Sequence, residues 1–149
     1  MHIEYQRHPF TISTDPARLD FNAIHNFLAN ESYWAKGITR ETLGKAIAHS
    51  LCFGVYKGGR QIGFARVISD YATYGYLDDV YLLAPYRKQG LGRWLMECII
   101  DHPELQTLRR FSLATKEVQA FYNKFGFQAL KHPARHLERL APGFYATVP

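Results

Sequence analysis

Cysteine is scarce in this chain: Cys52 and Cys98 are the only two among 149 residues. Two thiols build neither a disulfide framework nor a four-cysteine zinc site. A reduced, cytoplasmic setting is therefore expected. Long apolar runs are missing as well. No stretch approaches the ~20 apolar residues of a membrane span. The opening residues, with Glu4, Arg7 and His8, offer no apolar core for a secretory signal, so no membrane partner is expected. Neither of two common phosphate loops occurs. There is no Gly-x-x-x-x-Gly-Lys-Ser/Thr, and no Gly-x-Gly-x-x-Gly after an early strand. Ser50 and Ser112 lack the Gly-x-Ser-x-Gly elbow of a hydrolase nucleophile. His132 and His136 stand at helical spacing, but Pro133 lies between them and no third ligand is evident, so no metal site is expected.

What is present suits a folded protein. Apolar residues make up 47% and charged residues 21%, proportions that argue against disorder. With no repeat, linker or low-complexity tract, residues 1–149 read as one domain. The charge is uneven. Residues 1–85 carry eight basic and eight acidic side chains, whereas residues 86–149 carry ten basic and five acidic. A polyanionic ligand suits that half, although a solvated basic face has the same composition.

The pattern of periods gives an element order. Phe10–Ser13 alternates as a strand. Asp15-Pro16 marks a helix start, followed by Leu19, Ala23, Ile24, Phe27 and Leu28 at helical spacing. Thr39 is placed to cap a second helix through Leu43, Ala46 and Ile47. Leu51, Phe53 and Val55, then Ile62, Phe64, Arg66 and Ile68, flank Gly58-Gly59 and predict a β-hairpin. A third strand spans about Tyr74 to Leu83. A helix follows Gly90, with Leu91, Trp94, Leu95, Cys98 and Ile99 on its apolar stripe. Arg110–Ala114 is a short strand, Thr115 caps a helix to about Phe125, and Phe127–Leu130 is a further strand. Phe144–Val148 has the composition of a last edge strand. The expected class is mixed α/β: a central mixed sheet of six or seven strands with about four helices.

The segment Arg87-Lys88-Gln89-Gly90-Leu91-Gly92-Arg93 lies between an apolar strand and an amphipathic helix. Glycines there let backbone N–H groups approach a ligand closely. The helix N-terminus behind them adds partial positive charge and unpaired donors, a natural cradle for phosphate. Arg87, Lys88 and Arg93 add full charges.

Arg87-x-x-Gly90-x-Gly92 resembles the Arg/Gln-x-x-Gly-x-Gly/Ala signature of the GNAT N-acetyltransferase superfamily. Asp79-Val80-Tyr81-Leu82 before it is similar to that family's fourth strand. Phe121-Tyr122-Asn123-Lys124-Phe125-Gly126-Phe127 after it is similar to the family's Tyr-x-x-x-Gly-Phe. The match covers about residues 74–130. It departs at Ala84, where the family has proline, and at Thr115, where an asparagine near the pantetheine is usual.

The resemblance implies a sheet splayed between the family's strands 4 and 5, with the pantetheine arm of acetyl-CoA in the gap. Free backbone groups of Leu82 and Leu83 would bind that arm. Backbone N–H groups from Lys88 through Gln89, Gly90, Leu91 and Gly92 to Arg93 would hold the pyrophosphate, and Thr115 would lie near the arm. The reaction is attack of a neutral amine on a thioester, which needs a proton acceptor, a donor for the oxyanion and an acid for the departing thiolate. Asp70, Asp78 and Asp79 are the candidate acceptors, with turn capping or a salt bridge to Arg66 as their structural alternative. Strand alternation puts Asp78 and Asp79 on opposite faces, and Asp79 fits the family pattern better. Tyr122 is the candidate acid, with a place in the aromatic core as its alternative.

The expected function is acetyl-CoA-dependent acetylation of a primary amine on a small molecule or peptide, by a monomer or homodimer with no nucleic-acid partner. Other acyl-CoA transfer on the same fold, or a non-catalytic domain that holds CoA or nucleic acid, are the alternatives.

Overall fold

A computed structural model describes residues 1–143. Six strands form one sheet in the order β1-β2-β3-β4-β5-β6: Glu4–Arg7, Phe10–Ser13, Leu51–Lys57, Arg60–Ser69, Tyr74–Leu82 and Arg110–Leu113. All neighbours are antiparallel except β5 and β6, which run parallel. Parallel neighbours need a crossover, and the chain supplies one through helix α3 (Leu91–Ile100). Two helices, α1 (Phe21–Asn30) and α2 (Arg40–Ala48), precede β3, and a short α4 (Gln119–Asn123) follows β6. The mixed sheet with four helices agrees with the class read from the sequence.

The sheet divides the core in two. On one face, Phe53, Val55, Ile62, Ala65, Val67 and Leu77 pack against Leu91, Trp94, Leu95, Met96 and Ile99 of α3. On the other, Cys52, Phe64 and Tyr81 pack against Ile24, Phe27 and Leu28 of α1 and Leu43 of α2. Phe27 stacks on Tyr81 with ring centroids 3.8 Å apart. Each fully buried aliphatic or aromatic side chain contributes roughly 1.5–3 kcal/mol, so both faces fix the sheet firmly. Central strand β3 is buried on both sides, and its near-continuous apolar run reflects that.

Several elements differ from the sequence reading. β1 is an added edge strand. Of its residues only Tyr5 packs toward the core, so Glu4-Tyr5-Gln6-Arg7 carries almost no apolar alternation. Its presence makes the family's fourth strand the fifth here. Asp15-Pro16 starts a single 3-10 turn rather than α1: Asp15 accepts from Ala17 N–H, and Asp20 caps α1 by accepting from Ala23 N–H. Thr39 does cap α2, accepting from Thr42 N–H at 3.1 Å. Thr115 does not cap α4. That helix opens only at Gln119, and Thr115 Oγ1 accepts a long 3.4 Å bond from Val118 N–H. Phe127–Leu130 forms no strand. Phe127 is held instead by ring contacts with Phe111 and Tyr122. Phe144–Val148 lies outside the described residues.

Two details of β5 set up the site. The β5–β6 ladder ends at Leu77↔Leu113, whereas β5 itself continues to Leu82. The strands part there. One step further, β5 bulges: Arg66 pairs with Asp78 and Phe64 with Tyr81, so Asp79 and Val80 together oppose Ala65 alone. Asp79 absorbs the extra residue in a left-handed conformation, φ 55°. The bulge flips the parity of everything beyond it, which is why Leu77 and Tyr81 sit in opposite cores.

Candidate active site

A cleft of about 500 Å³ opens where β5 and β6 part. Its walls include Tyr33 and Trp34 from the α1–α2 loop, Tyr76, Asp78 and Asp79 from β5, Thr115 and Lys116 after β6, and Tyr122 from α4. Alternation along β5 expects Asp78 and Asp79 on opposite faces; the bulge instead brings both to Arg66. Arg66 Nη2 donates to Asp78 Oδ2 at 3.0 Å, and Nε to Asp79 Oδ2 at 2.8 Å. Its third nitrogen, Nη1, donates to Ser50 Oγ at 3.1 Å. Burial alone pulls the guanidinium pKa down, but the charge and hydrogen bond of Asp79 and the charge of Asp78 outweigh it and raise it.

The two carboxylates differ in what is left to them. Asp79 is only 4% exposed, and its second oxygen accepts from the Trp34 indole N–H at 2.8 Å. Asp78 is 31% exposed and opens onto the cleft. Burial, then the neighbouring Asp79 charge, push the Asp78 carboxyl above the usual carboxylate range, against the pull of Arg66. Asp70 is no part of this group. It closes the turn before β5 by accepting from the N–H groups of Ala72, Thr73 and Tyr74 and from the Thr73 hydroxyl. Those bonds, the Thr73 hydroxyl first, hold its carboxyl well below the ordinary range.

Tyr122 is buried and lines the same cleft. Burial, then the nearby Tyr33, push its phenol up to about 12, so it keeps its proton throughout the neutral range. Phe121 and Phe127 flank its ring edge-on. Cys52 and Cys98 are buried free thiols, each pushed up to about 12 by burial, which removes them as nucleophiles.

Above the cleft runs the segment from Arg87 to Arg93. Gly90 is the N-cap of α3 at φ 84°, with no side chain to cap the first turn. The N–H groups of Leu91, Gly92 and Arg93 are therefore the orphan donors of that turn. A Cβ on Gly90 would meet nothing within 4 Å, so the backbone, not crowding, calls for glycine; a Cβ on Gly92 would reach Phe121 at an ordinary 3.6 Å. Lys88 is also left-handed, φ 61°. The nearby cations are partly engaged. Arg87 Nε donates to the Leu82 carbonyl at 2.8 Å, and Arg93 Nε to Glu97 at 3.1 Å. Gln89 donates to the Pro85 carbonyl. Leu82 and Leu83 separate here. Leu83 N–H is taken by the Ile62 carbonyl at 2.9 Å, so by alternation Leu82 turns its own N–H toward the gap.

The sequence model of the family described as acetyltransferase (GNAT) domain matches residues 48–129, which include the bulge, the cradle and Tyr122. The chain belongs to the GNAT acetyltransferase family. A protein of Gibberella zeae assigned as an acetyltransferase is 31% identical over 140 residues, 80% of this chain and 79% of that one. A solved structure from Xanthomonas campestris pv. campestris, assigned to the GNAT family, is 45% identical with a TM-score of 0.91, over 96% of this chain and 100% of that one. Further away, a GNAT family acetyltransferase from Elizabethkingia anophelis, solved with acetyl-CoA bound, is 16% identical with a TM-score of 0.62 over 95% and 94% of the two chains, a likeness of fold alone.

Two parts of this GNAT site, Ser50 and the Trp34 bond to Asp79, have no clear trace in the sequence, whereas the Arg66 salt bridge was among its expectations. Ser50 joins it only through the turn after α2. Trp34 joins through a contact 45 residues away. The signal for Arg66 was chemical: two adjacent carboxylates in a largely buried strand need a cation, and Arg66 stands on the partner strand. Among the described residues, no group of three or more His, Cys, Asp or Glu could hold a metal ion, and no helix is long and apolar enough to cross a membrane.

Proposed function

We propose that this GNAT protein transfers the acetyl group of acetyl-CoA to a primary amine that enters as a cation, on a small molecule or a peptide. The observation that carries the reading is that Asp78 and Tyr122 line one cleft, at the point where β5 and β6 part. The residues fit the co-substrate. The uncapped first turn of α3 behind Gly90 suits a pyrophosphate, and the open edge of β5 at Leu82 suits an amide-bearing arm laid along it as an extra strand. Acetyl-CoA supplies an activated thioester; the chain supplies position and proton handling.

Asp78 attracts the ammonium and takes its proton, leaving the lone pair for attack on the thioester carbonyl. Its carboxyl, raised by burial and by the Asp79 charge, is a better base than an exposed aspartate. Leu82 N–H faces the gap as a donor. Tyr122, whose phenol keeps its proton throughout the neutral range, gives that proton to the sulfur as the C–S bond breaks, and the second proton shed by the nitrogen as the amide forms restores the phenol. The cleft favours a cation over an anion. Tyr33, Trp34 and Tyr76 line it with aromatic rings, which attract cations, and the Lys116 ammonium lies 5.4 Å from the Tyr33 ring centroid.

Thermal unfolding with acetyl-CoA, and thiol release from acetyl-CoA across a panel of amines, test the reading. At ~100 times its dissociation constant acetyl-CoA stabilises by about 2.7 kcal/mol. Asp78→Asn keeps that shift and loses turnover. No shift at millimolar acetyl-CoA refutes the proposal.

A further inference from the structure

Tyr33 and Trp34 are neighbours in the α1–α2 loop, yet they bond to opposite sides of the open sheet. The Trp34 indole N–H donates to Asp79 Oδ1 at 2.8 Å, on the bulge of β5. The Tyr33 hydroxyl accepts from Lys116 N–H at 3.1 Å, in the segment that leaves β6. The Lys116 ammonium also folds over the Tyr33 ring, and the two rings meet edge-on, with centroids 5.1 Å apart. The loop therefore spans the gap where strand-to-strand hydrogen bonds have stopped.

We propose that Tyr33 and Trp34 are positioning residues that act as a bracket, holding the parted strands at the separation that admits the pantetheine arm. This rests on the acetyl-CoA reading above. Among the described residues no other hydrogen bond joins the two sides at this level, because the ladder between them ends at Leu77↔Leu113. The anchor on β5 is rigid. Asp79 is clamped from behind by Arg66, which is itself bonded to Asp78 and Ser50, and Ser50 Oγ donates to the Ala46 carbonyl at the end of α2. Asp79 is thus a fixed post for Trp34. The bracket's other end grips the loop that leads to α4 and Tyr122, so its span also sets the distance across the cleft.

The test needs no knowledge of the acceptor. Trp34→Phe and Tyr33→Phe each keep an aromatic ring and remove one hydrogen-bonding group. Acetyl-CoA affinity is measured by calorimetry well below every variant's Tm, on the full chain, for wild type, both single variants and the double variant. Thermal melts without ligand run alongside. The bracket predicts that the double variant binds acetyl-CoA at least about fivefold more weakly, the equivalent of one average hydrogen bond. It also predicts that each single variant shows part of that loss. A role confined to folding lowers Tm and leaves affinity at low temperature unchanged; a double variant within twofold of wild type therefore overturns the bracket. Wild-type protein that fails to bind acetyl-CoA overturns the reading beneath it as well, and that outcome is distinct.

A second arm examines the post. Asp79→Asn tolerates the left-handed backbone and keeps an oxygen for the Trp34 N–H, whereas Asp79→Gly suits the backbone and removes the post. Affinity for acetyl-CoA falls in the order wild type, Asn, Gly. Equal affinities for Asn and Gly variants count against the bracket.

Discussion

Arg66 is the residue whose loss the structure allows to be priced. Its guanidinium is 11% exposed and bonds three partners, two of them carboxylates. Arg66→Met keeps a flexible apolar stem of similar length. It leaves Asp79 buried with only the Trp34 N–H, and Asp78 beside it with no cation. Removing one partner of a buried pair costs about 3–5 kcal/mol, because the other charge stays buried. Such a loss is a large part of the ~5–15 kcal/mol that holds a domain folded. At roughly 2–4 °C per kcal/mol for a chain of this size, the melting temperature falls by about 6–20 °C. The deficit depends on pH in a defined direction. Asp78 is already raised in the folded protein. A carboxyl raised on folding costs stability above its folded pKa, and the cost disappears as pH falls below its unfolded value, ~3.9. Without Arg66 the cost grows. The gap between wild type and variant is therefore widest at pH 7 and narrows toward pH 4. Calorimetric melts of both proteins at those two pH values check this. A gap that is constant with pH, or below about 2 °C at pH 7, refutes the view that Arg66 exists to hold two adjacent carboxylates, one buried and one half-buried.

Gly90→Ala forces a Cβ into a left-handed position and destabilises by roughly 1–2 kcal/mol, whereas Gly92→Ala meets only ordinary contacts and leaves Tm nearly unchanged; melts of the two variants decide. Tyr122→Phe keeps the ring packing and lowers turnover by ~100- to 10,000-fold with acetyl-CoA affinity intact, as read by thiol release and titration calorimetry. Because the phenol is pushed up to about 12, wild-type turnover shows no loss from its ionisation as pH rises from 7 to 10. Asp70→Ala unties the turn before β5, so faster amide exchange at Ala72 and Thr73 is expected with activity retained.

The fold was legible where the hydrophobic period was strong. The β3–β4 hairpin turns on Gly58-Gly59, and the stripe of α3 from Leu91 to Ile99 is buried as its spacing predicts. Weakly patterned segments were not. Glu4–Arg7 pairs as an edge strand with almost no apolar signal, and Asp15-Pro16 carries the marks of a helix start but supports only one 3-10 turn before Asp20 takes over as cap. In the site, the glycine cradle and Tyr122 belong to one local segment each and were visible as motifs. The Arg66 salt bridge was legible as an alternative for the aspartates, and the structure makes it to both; the Trp34 bond to Asp79 was not, because it forms only through long-range packing. Which side each carboxylate faces depends on a single bulged residue. Leu83 illustrates the same limit: its N–H is spent on Ile62, a fact of strand register that composition does not carry.

The bulge also explains how a strand can place two adjacent aspartates on one face without driving them apart. Regular alternation would send one of them into the α3 core, where an unpaired carboxylate is too costly to keep ionised. The left-handed turn at Asp79 instead brings both to a single guanidinium. Two carboxylates and one guanidinium leave one net negative charge, and the geometry decides where it resides. Asp79 is sealed behind Trp34 and Arg66, so the unbalanced charge lies with Asp78 at the cleft. A cation drawn to ~4 Å from that charge gains about 4 kcal/mol at an effective dielectric constant near 20. The same charge repels an anionic acceptor by a comparable amount. In the proposed reaction, selection for a protonated amine and removal of its proton thus fall to the same carboxylate. In that reaction Arg66 favours the carboxylate form of Asp78, while the burial that raises its pKa favours uptake of the amine's proton.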